Sequence, residues 1–319
     1  MEYIKCIFCH SEANDVVIEE NGYTGVQCRT CNLIYINPRP KFDDIVDLYG
    51  HDNAHASAES HIDFLYAKTL YTKHTLQIIK KYAEGALLEI GAGAGYFLKE
   101  AQRQKFEVYA IEFNKIQADF ILEKHRIPCE LTALNENTFG TKKFDVIYHC
   151  DVLSHFYSPI MEFGRMYNKL NPEGYVVFET GNLGDVNKSY FKYYPKFQYP
   201  DHLFFFNESN IKALLNESGF ELIKMYRYSI LPQLFLKKVL LKLTNIIKPR
   251  KIKSIDIKKK DLVQYIIYFY SKLFFAIRNK LKNVYAYLFY LIRYKLGSIM
   301  LKKGVPQTMI IVARKKSER

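Results

Sequence analysis

The chain has 319 residues, of which 49% are apolar and 25% charged, and this composition excludes a disordered tail, a collagen-like repeat and a low-complexity protein. The formal net charge is +13. The excess of basic residues lies entirely in the last quarter, because residues 231–319 hold 22 Lys and Arg against three acids, whereas residues 1–230 are mildly acidic. The sequence shows neither a secretory leader nor an apolar run of membrane-spanning length, so we expect a cytoplasmic protein of about two domains.

The first motif in the chain is a pair of C-x-x-C sequences. It is formed by Cys6, Cys9, Cys28 and Cys31. Each C-x-x-C places two thiolates on one tight turn, and two such turns together form the tetrahedral sulfur cage that zinc prefers. Four thiolates leave no open position for water, so we expect a structural zinc ion rather than a catalytic one. A redox pair and a disulfide are weaker alternatives, and we expect Cys129 and Cys150 to be buried apolar residues.

A helical period follows the N-P-R-P sequence at residues 37–40, and it is replaced near residue 86 by short apolar runs. These runs alternate with segments long enough for crossover helices, which predicts a parallel sheet with helices on both faces. Before the predicted strand at residues 220–223, Asn207 is expected to cap a helix that Gly219 terminates. The predicted strands lie at residues 86–90, 108–111, 144–148, 175–178, 220–223 and 309–312.

A glycine-rich loop comes directly after the first of these strands, with glycines at positions 91, 93 and 95. Glycine lets the backbone turn sharply and approach a ligand, since a Cβ atom would collide with it. Glu112 ends the next strand, where a carboxylate can accept hydrogen bonds from both hydroxyls of a ribose. The dinucleotide fingerprint needs its third glycine one residue later, so the loop predicts a different nucleotide ligand.

The spacing E-x-G-x-G-x-G resembles the first motif of the class I S-adenosylmethionine-dependent methyltransferases. The similarity continues through D-V-L-S-H at residues 151–155, where Ser154 replaces the common Glu, and through L-N-P-E-G before the next strand. The resemblance implies an α/β fold: a doubly wound, seven-stranded, mostly parallel Rossmann-like sheet, with its last strand antiparallel beside the sixth. It also implies S-adenosylmethionine as the cofactor, bound by Glu89, Gly91, Gly93, Gly95, Glu112, Asp151 and His155.

A narrower resemblance rests on the four cysteines followed by N-P-R-P. This arrangement is similar to the zinc-bearing branch that includes C-methyltransferases of nucleotide-linked deoxysugars. That branch carries Tyr-x-Glu-His after the fifth strand, and the matching residues here are Tyr199, Pro200, Asp201 and His202, with Asp in place of Glu. The resemblance implies that His202 is the general base and that Asp201 and Tyr199 orient it or bind substrate. The implied acceptor is a sugar or surface-glycan precursor, methylated at carbon or oxygen.

Two other functions stay open at this point. An RNA methyltransferase can also combine a zinc module with positive charge, but no N/D-P-P-Y/F motif follows the fourth strand, so we do not expect a nucleic-acid partner. A non-catalytic S-adenosylmethionine-binding module is the other alternative, and the intact glycines together with Glu112 argue against it.

The basic excess lies in an insertion before the last strand, where residues 261–296 have the period of one or two amphipathic helices. Arg293 is among the charges between its apolar positions. The first hypothesis is a peripheral contact with an anionic membrane surface through residues 231–303; a helical cap or dimer surface and RNA binding are the alternatives. The predicted domains are a zinc-binding module (1–37), a helical connector (38–84), a methyltransferase domain (85–229 and 305–316) and a basic aromatic helical insertion (230–304).

Overall fold

The structure is a computed structural model, and it describes residues 1–45, 65–194, 196–236, 284 and 286–317. Most of the predicted basic insertion therefore lies outside the described residues, and so does the middle of the predicted helical connector, residues 46–64. Within the described ranges, no helix is both long enough and apolar enough to cross a bilayer.

The N-terminal region is built from three short antiparallel strands: β1 (Asn14–Glu20), β2 (Tyr23–Cys28) and β3 (Ile34–Ile36). A two-residue turn at Asn21 and Gly22, both with positive φ, joins the first pair into a hairpin. All three residues of β3 are buried. Sequence analysis identified the cysteines here but not these strands.

The region from residue 65 onward alternates strands and helices, as the sequence predicts. Its elements are α1 (Leu65–Ile79), β4 (Ala86–Ile90), α2 (Tyr96–Arg103), β5 (Glu107–Ile111), α3 (Lys115–Phe120), β6 (Cys129–Glu130), β7 (Phe144–Cys150), α4 (Pro159–Lys169), β8 (Leu170–Gly181), β9 (Phe204–Phe205), α5 (Glu208–Glu217), β10 (Phe220–Ser229) and β11 (Gln307–Lys315). Every residue of β4 is buried, as expected for a central strand that is covered on both faces.

A seven-stranded sheet in the order β10-β11-β8-β7-β4-β5-β6 forms the centre of the molecule. The five strands from β4 to β8 pair in parallel, whereas β11 lies antiparallel between β8 and β10. This confirms the predicted fold class, including the antiparallel insertion of the last strand. The sequence did not indicate β6, because a two-residue edge strand is too short to show a period.

The helix before β10 has the predicted ends. The Asn207 side chain accepts a hydrogen bond from the backbone N–H of Asn210 at 2.7 Å, and the Asn210 side chain accepts one from the N–H of Asn207 at 3.2 Å. Gly219 follows the helix with φ at 82°, a conformation that L side chains rarely adopt. This reciprocal cap fixes the direction in which the chain enters α5.

The N-terminal sheet takes its fourth strand, β9, from a later part of the chain. Strand β9 adds to β3 in antiparallel register, with Ile34 opposite Phe205 and Tyr35 opposite Phe204. The N–H of Ile36 extends the pairing to the carbonyl of Leu203 at 3.0 Å. One buried apolar cluster continues from β3 through Phe204 into the central sheet.

The described end of the insertion packs on its own protein. Residues 286–296 are helical, and the ring of Tyr294 stacks on His74 of α1 at 3.8 Å and meets Tyr228 of β10 edge-on at 4.8 Å. Ala286 and Phe289 are also buried. This part of the insertion therefore covers α1 and β10; a contact of residues 237–283 with a membrane stays a prediction outside the described residues.

Candidate active site

The carboxyl ends of the parallel strands open into a cavity of about 1230 Å³. Ligands of open α/β sheets bind at this edge, and a single small-molecule pocket typically measures roughly 300–1,000 Å³, so the cavity has room for a donor and an acceptor together. The predicted site residues that line it are Glu89, Gly91, Gly93, Glu112, Asp151, His155, Asp201 and His202. Gly95 and Tyr199 lie outside this lining in the described part of the chain.

The glycine loop leaves β4 through residues with positive φ, 68° at Gly91 and 56° at Gly93. A Cβ atom on Gly91 would come within 2.8 Å of Val152 Cγ2, so a side chain at that position would strain the loop and force a neighbour to shift. Gly95, which we expected among the ligand-binding residues, begins α2 instead and faces Ile121, which its Cβ would meet at 2.8 Å. Its role in this structure is to start the helix.

Glu112 connects this loop to the end of β5. Its Oε2 accepts a hydrogen bond from the N–H of Gly93 at 2.7 Å, and its Oε1 accepts one from each of the N–H groups of Phe113 and Asn114 at 2.8 Å. Three backbone donors hold a buried carboxylate beside the glycine loop. The arrangement fits the adenosyl and ribose end of S-adenosylmethionine, which Gly91, Gly93, Glu89 and Glu112 would hold.

Two loops that are distant in sequence meet at the wall of the same cavity. Asp151 leaves β7 with φ at 56°, and His155 follows in the next turn. The Nδ1 atom of His155 lies 3.0 Å from the carboxylate Oδ1 of Asp201 and 3.0 Å from its carbonyl oxygen. The N–H of Leu203 donates to the carbonyl of Ser154 at 2.8 Å, which holds the two loops together.

His202 also lines the cavity, with its ring edge-on to that of His155 at 4.7 Å and to that of Phe205 at 5.5 Å. We expected Asp201 to orient His202, and the structure places the carboxylate against His155. The sequence could not indicate this pairing, because His155 and Asp201 are 46 positions apart.

Tyr199 is placed differently from the expectation that it orients the base or binds substrate. Its side chain is 2% exposed, and its hydroxyl is buried without a hydrogen-bond partner among the described residues. The ring packs over β2 so closely that a Cβ atom on Gly25 would lie 2.0 Å from the Tyr199 hydroxyl oxygen. Burial raises the pKa of Tyr199 well above its usual range. Tyr199 therefore belongs to the core that supports the loop.

Three polar residues of the cavity wall were not predicted to lie there. Glu179 ends the apolar part of β8, Thr308 lies beside it on β11, and Arg293 comes from the end of the insertion. We expected Arg293 on the polar face of a helix, but its guanidinium turns inward and pairs with Glu179. The sequence pattern that could have identified Glu179 is an acidic residue directly after three apolar strand residues. Cys150, expected to be buried, is exposed into the same cavity.

The four predicted metal ligands come together at the N-terminus. The Sγ–Sγ distance is 3.3 Å from Cys6 to Cys31 and 3.4 Å from Cys9 to Cys28, and all four sulfur atoms lie within 4.8 Å of one another. Zinc–sulfur bonds of about 2.3 Å in a tetrahedron place the sulfur atoms about 3.8 Å apart, so the donor set fits a zinc ion. Such an ion would be held away from the cavity, in agreement with a structural role.

Comparison with known proteins identifies the family. A family model described as a methyltransferase domain matches residues 64–225, just over half of the chain. No curated protein matches the chain.

Several solved structures resemble it at low identity. A cyclopropane synthase from Mycobacterium tuberculosis is 15% identical over 86% of this chain and 94% of its own, with a TM-score of 0.48. A SAM-dependent methyltransferase from Archaeoglobus fulgidus is 17% identical over 86% and 100%, with a TM-score of 0.46. A phosphoethanolamine N-methyltransferase from Haemonchus contortus is 17% identical over 86% and 60%, with a TM-score of 0.47. On the strength of the family match, the chain belongs to the methyltransferase domain family and is an S-adenosylmethionine-dependent methyltransferase.

Proposed function

We propose that this methyltransferase acts on a hydroxylated, sugar-derived acceptor such as a surface-glycan precursor, at carbon or oxygen, with a histidine as general base. The observation that carries the proposal is the contact of His155 with Asp201 in the cavity wall. The four-cysteine module followed by N-P-R-P, which is similar to that of sugar C-methyltransferases, supports the acceptor class.

The contacts of His155 define its tautomer. A carbonyl oxygen can only accept a hydrogen bond, and Nδ1 of His155 lies 3.0 Å from the Asp201 carbonyl as well as from its carboxylate. Nδ1 therefore carries the proton in the neutral ring, and the basic lone pair is on Nε2. A carboxylate at Nδ1 also stabilises the imidazolium that forms when Nε2 takes up a proton.

His202 is the other candidate base, because it lines the same cavity and occupies the position that the sugar-modifying branch implies. Its ring packs edge-on between His155 and Phe205, and its backbone N–H donates to the Gln198 carbonyl at 3.0 Å. We favour His155 because the orienting carboxylate contacts its ring. His202 then shapes the acceptor side of the cavity.

When bound, S-adenosylmethionine supplies the methyl group, and the electrons of the broken carbon–sulfur bond stay on its sulfur. His155 Nε2 accepts the proton that the attacking oxygen or carbon of the acceptor loses, while Asp201 holds the ring in place. The aromatic side chains of Phe156, Tyr157 and Phe205 line the same cavity, where they would limit the access of water to the reacting groups. The residues thus align the acceptor and remove one proton, which is what methyl transfer to such an acceptor requires.

The test uses the full-length zinc-loaded protein, radiolabelled S-adenosylmethionine, and three acceptor panels: nucleotide-linked sugars, phosphoethanolamine and simple amino acids. We expect label in the sugars. We expect His155→Ala to lower kcat by about 10² or more, the usual contribution of a general base, with unchanged affinity for S-adenosylhomocysteine by calorimetry.

His202→Ala is the matched comparison, and we expect it to raise KM more than it lowers kcat. A full loss of turnover in His202→Ala with normal turnover in His155→Ala would assign the base to His202. Label in phosphoethanolamine or amino acids alone would contradict the sugar acceptor.

A further inference from the structure

Three polar side chains from three different elements meet at one end of the cavity. Arg293, from the insertion, donates from Nη2 to the carboxylate of Glu179 on β8 and to the hydroxyl of Thr308 on β11, the latter at 3.0 Å. All three residues line the cavity. The guanidinium lies 5.1 Å from the ring centre of Tyr71, which helps to fix its plane.

One donor of this cluster has no acceptor. The Nε atom of Arg293 is buried and finds no hydrogen-bond partner among the residues that the structure describes. A buried donor of a charged group destabilises a protein unless a ligand or water supplies an oxygen. The hydrogen-bonding capacity of this guanidinium at the cavity wall is therefore not used up by the residues that the structure describes.

The charges of the cluster favour a neutral ligand. Glu179 balances the charge of Arg293, and burial raises the pKa of the Glu179 carboxyl while the guanidinium opposes that shift and Asp151 adds to it. A carboxylate or phosphate of a ligand would meet two acidic side chains, Glu179 and Asp151, against one cation. Neutral hydroxyl groups need a donor and an acceptor side by side, and a guanidinium paired with a carboxylate presents both.

We propose that Arg293, Glu179 and Thr308 form a subsite for adjacent neutral hydroxyl groups of the acceptor, with the Arg293 guanidinium donating to a hydroxyl oxygen and Glu179 accepting from a hydroxyl. This inference rests on the proposed function and assigns the recognition of the acceptor to a residue of the insertion. It also explains why an arginine among apolar residues of a helix faces inward.

The experiment measures binding without turnover. Full-length protein loaded with S-adenosylhomocysteine is titrated with methyl α-D-glucopyranoside, methyl α-L-rhamnopyranoside, glucuronate and phosphoethanolamine by saturation-transfer NMR. We expect the two glycosides to bind better than the charged probes. We expect Arg293→Met to weaken glycoside binding about tenfold or more, since hydrogen bonds to a charged group are lost.

Because Arg293→Met leaves the buried Glu179 without its cation, the double variant Arg293→Met with Glu179→Gln is measured beside it. The double variant removes both charges and is expected to bind S-adenosylhomocysteine normally but the glycosides weakly. The control is Arg314→Met, which removes an arginine paired with Glu173 and Glu221 at the other end of β11. This variant should bind S-adenosylhomocysteine and the glycosides as the wild type does.

Wild-type binding of glycosides by the double variant would overturn the subsite, and so would preferential binding of glucuronate or phosphoethanolamine to the wild type. If no glycoside binds while labelled methyl is still transferred to nucleotide-linked sugars, the subsite fails and the proposed function stands. If no glycoside binds and no methyl group is transferred to nucleotide-linked sugars, both the subsite and the proposed function fail.

Discussion

The four-cysteine region and the end of the insertion both lie outside the family-matched core, yet each contributes to the cavity in a different way. The N-terminal region acts through backbone: β3 pairs with β9, directly after the loop that carries Asp201 and His202. The end of the insertion acts through side chains, with Arg293 in the cavity and Tyr294 packed on α1 and β10. Backbone pairing fixes where a loop lies, whereas a side chain supplies a chemical group.

This difference separates the effects expected from damage to either region. Loss of the N-terminal pairing should displace Asp201 and lower the rate of transfer. Loss of the insertion contacts should weaken acceptor binding or stability. Neither should remove the cofactor site, because Gly93 and Glu112 belong to the ends of β4 and β5, away from both regions.

The largest effect is expected from the four-cysteine cage, in which we propose a structural zinc ion. Structural zinc contributes about 10–16 kcal/mol in small zinc modules, as much as the whole stability of a typical domain, so Cys28→Ser should unfold the cage. The Cys31 carbonyl, which accepts from the side chains of Asn207 at 2.7 Å and Asn210 at 3.2 Å, would then release the start of α5. We expect zinc content by mass spectrometry and methyl transfer to be lost together, with S-adenosylhomocysteine binding retained.

Cys129→Ser, outside the cage, should retain both zinc and activity. Normal turnover in a zinc-free Cys28→Ser protein would show that the N-terminal region does not position the catalytic loop.

A smaller effect is expected at the hairpin that supports the same loop. The Glu20 carboxylate accepts from the N–H groups of Phe197 at 2.9 Å and Tyr199 at 2.8 Å. In Glu20→Gln one of these donors would face an NH₂ group, and we expect kcat to fall about tenfold with zinc content unchanged. Glu19→Gln, one residue earlier and exposed, is the matched control. Equal activity of the two variants would mean that Glu20 does not position the catalytic loop.

The smallest effect is expected at His74 of α1, on which Tyr294 of the insertion stacks. Burial, reinforced by Lys295, Arg293 and Lys81, lowers the pKa of His74 to about 4. Between pH 6.5 and 4 the unfolded chain therefore binds a proton that the folded chain does not, and the free energy of unfolding falls as the pH is lowered through this range. In His74→Phe this dependence should be weaker, seen as a flatter plot of Tm against pH. An unchanged slope would mean that groups other than His74 cause this pH dependence.

Part of the site was predictable because its signals are local. The glycine loop, Glu112 and the D-V-L-S-H sequence each follow a strand, and parallel strands present their carboxyl ends at one edge. The structure brings these segments to one cavity, as expected. Gly95 and Tyr199 belong to motifs of the same kind, but a motif does not say which side of a loop faces the ligand, and both face the protein.

The sequence by itself determined the features that depend on short stretches of the chain. These are the two cysteine pairs, the loop after β4, the cap at Asn207 and the alternation of strands with helices. Turn geometry and side-chain period depend on neighbours in the chain, so these features can be seen without the fold. Tertiary structure decided which histidine meets Asp201 and where Arg293 points. Those contacts join residues 46 and 114 positions apart, and only the order of strands in the sheet brings them within hydrogen-bond distance.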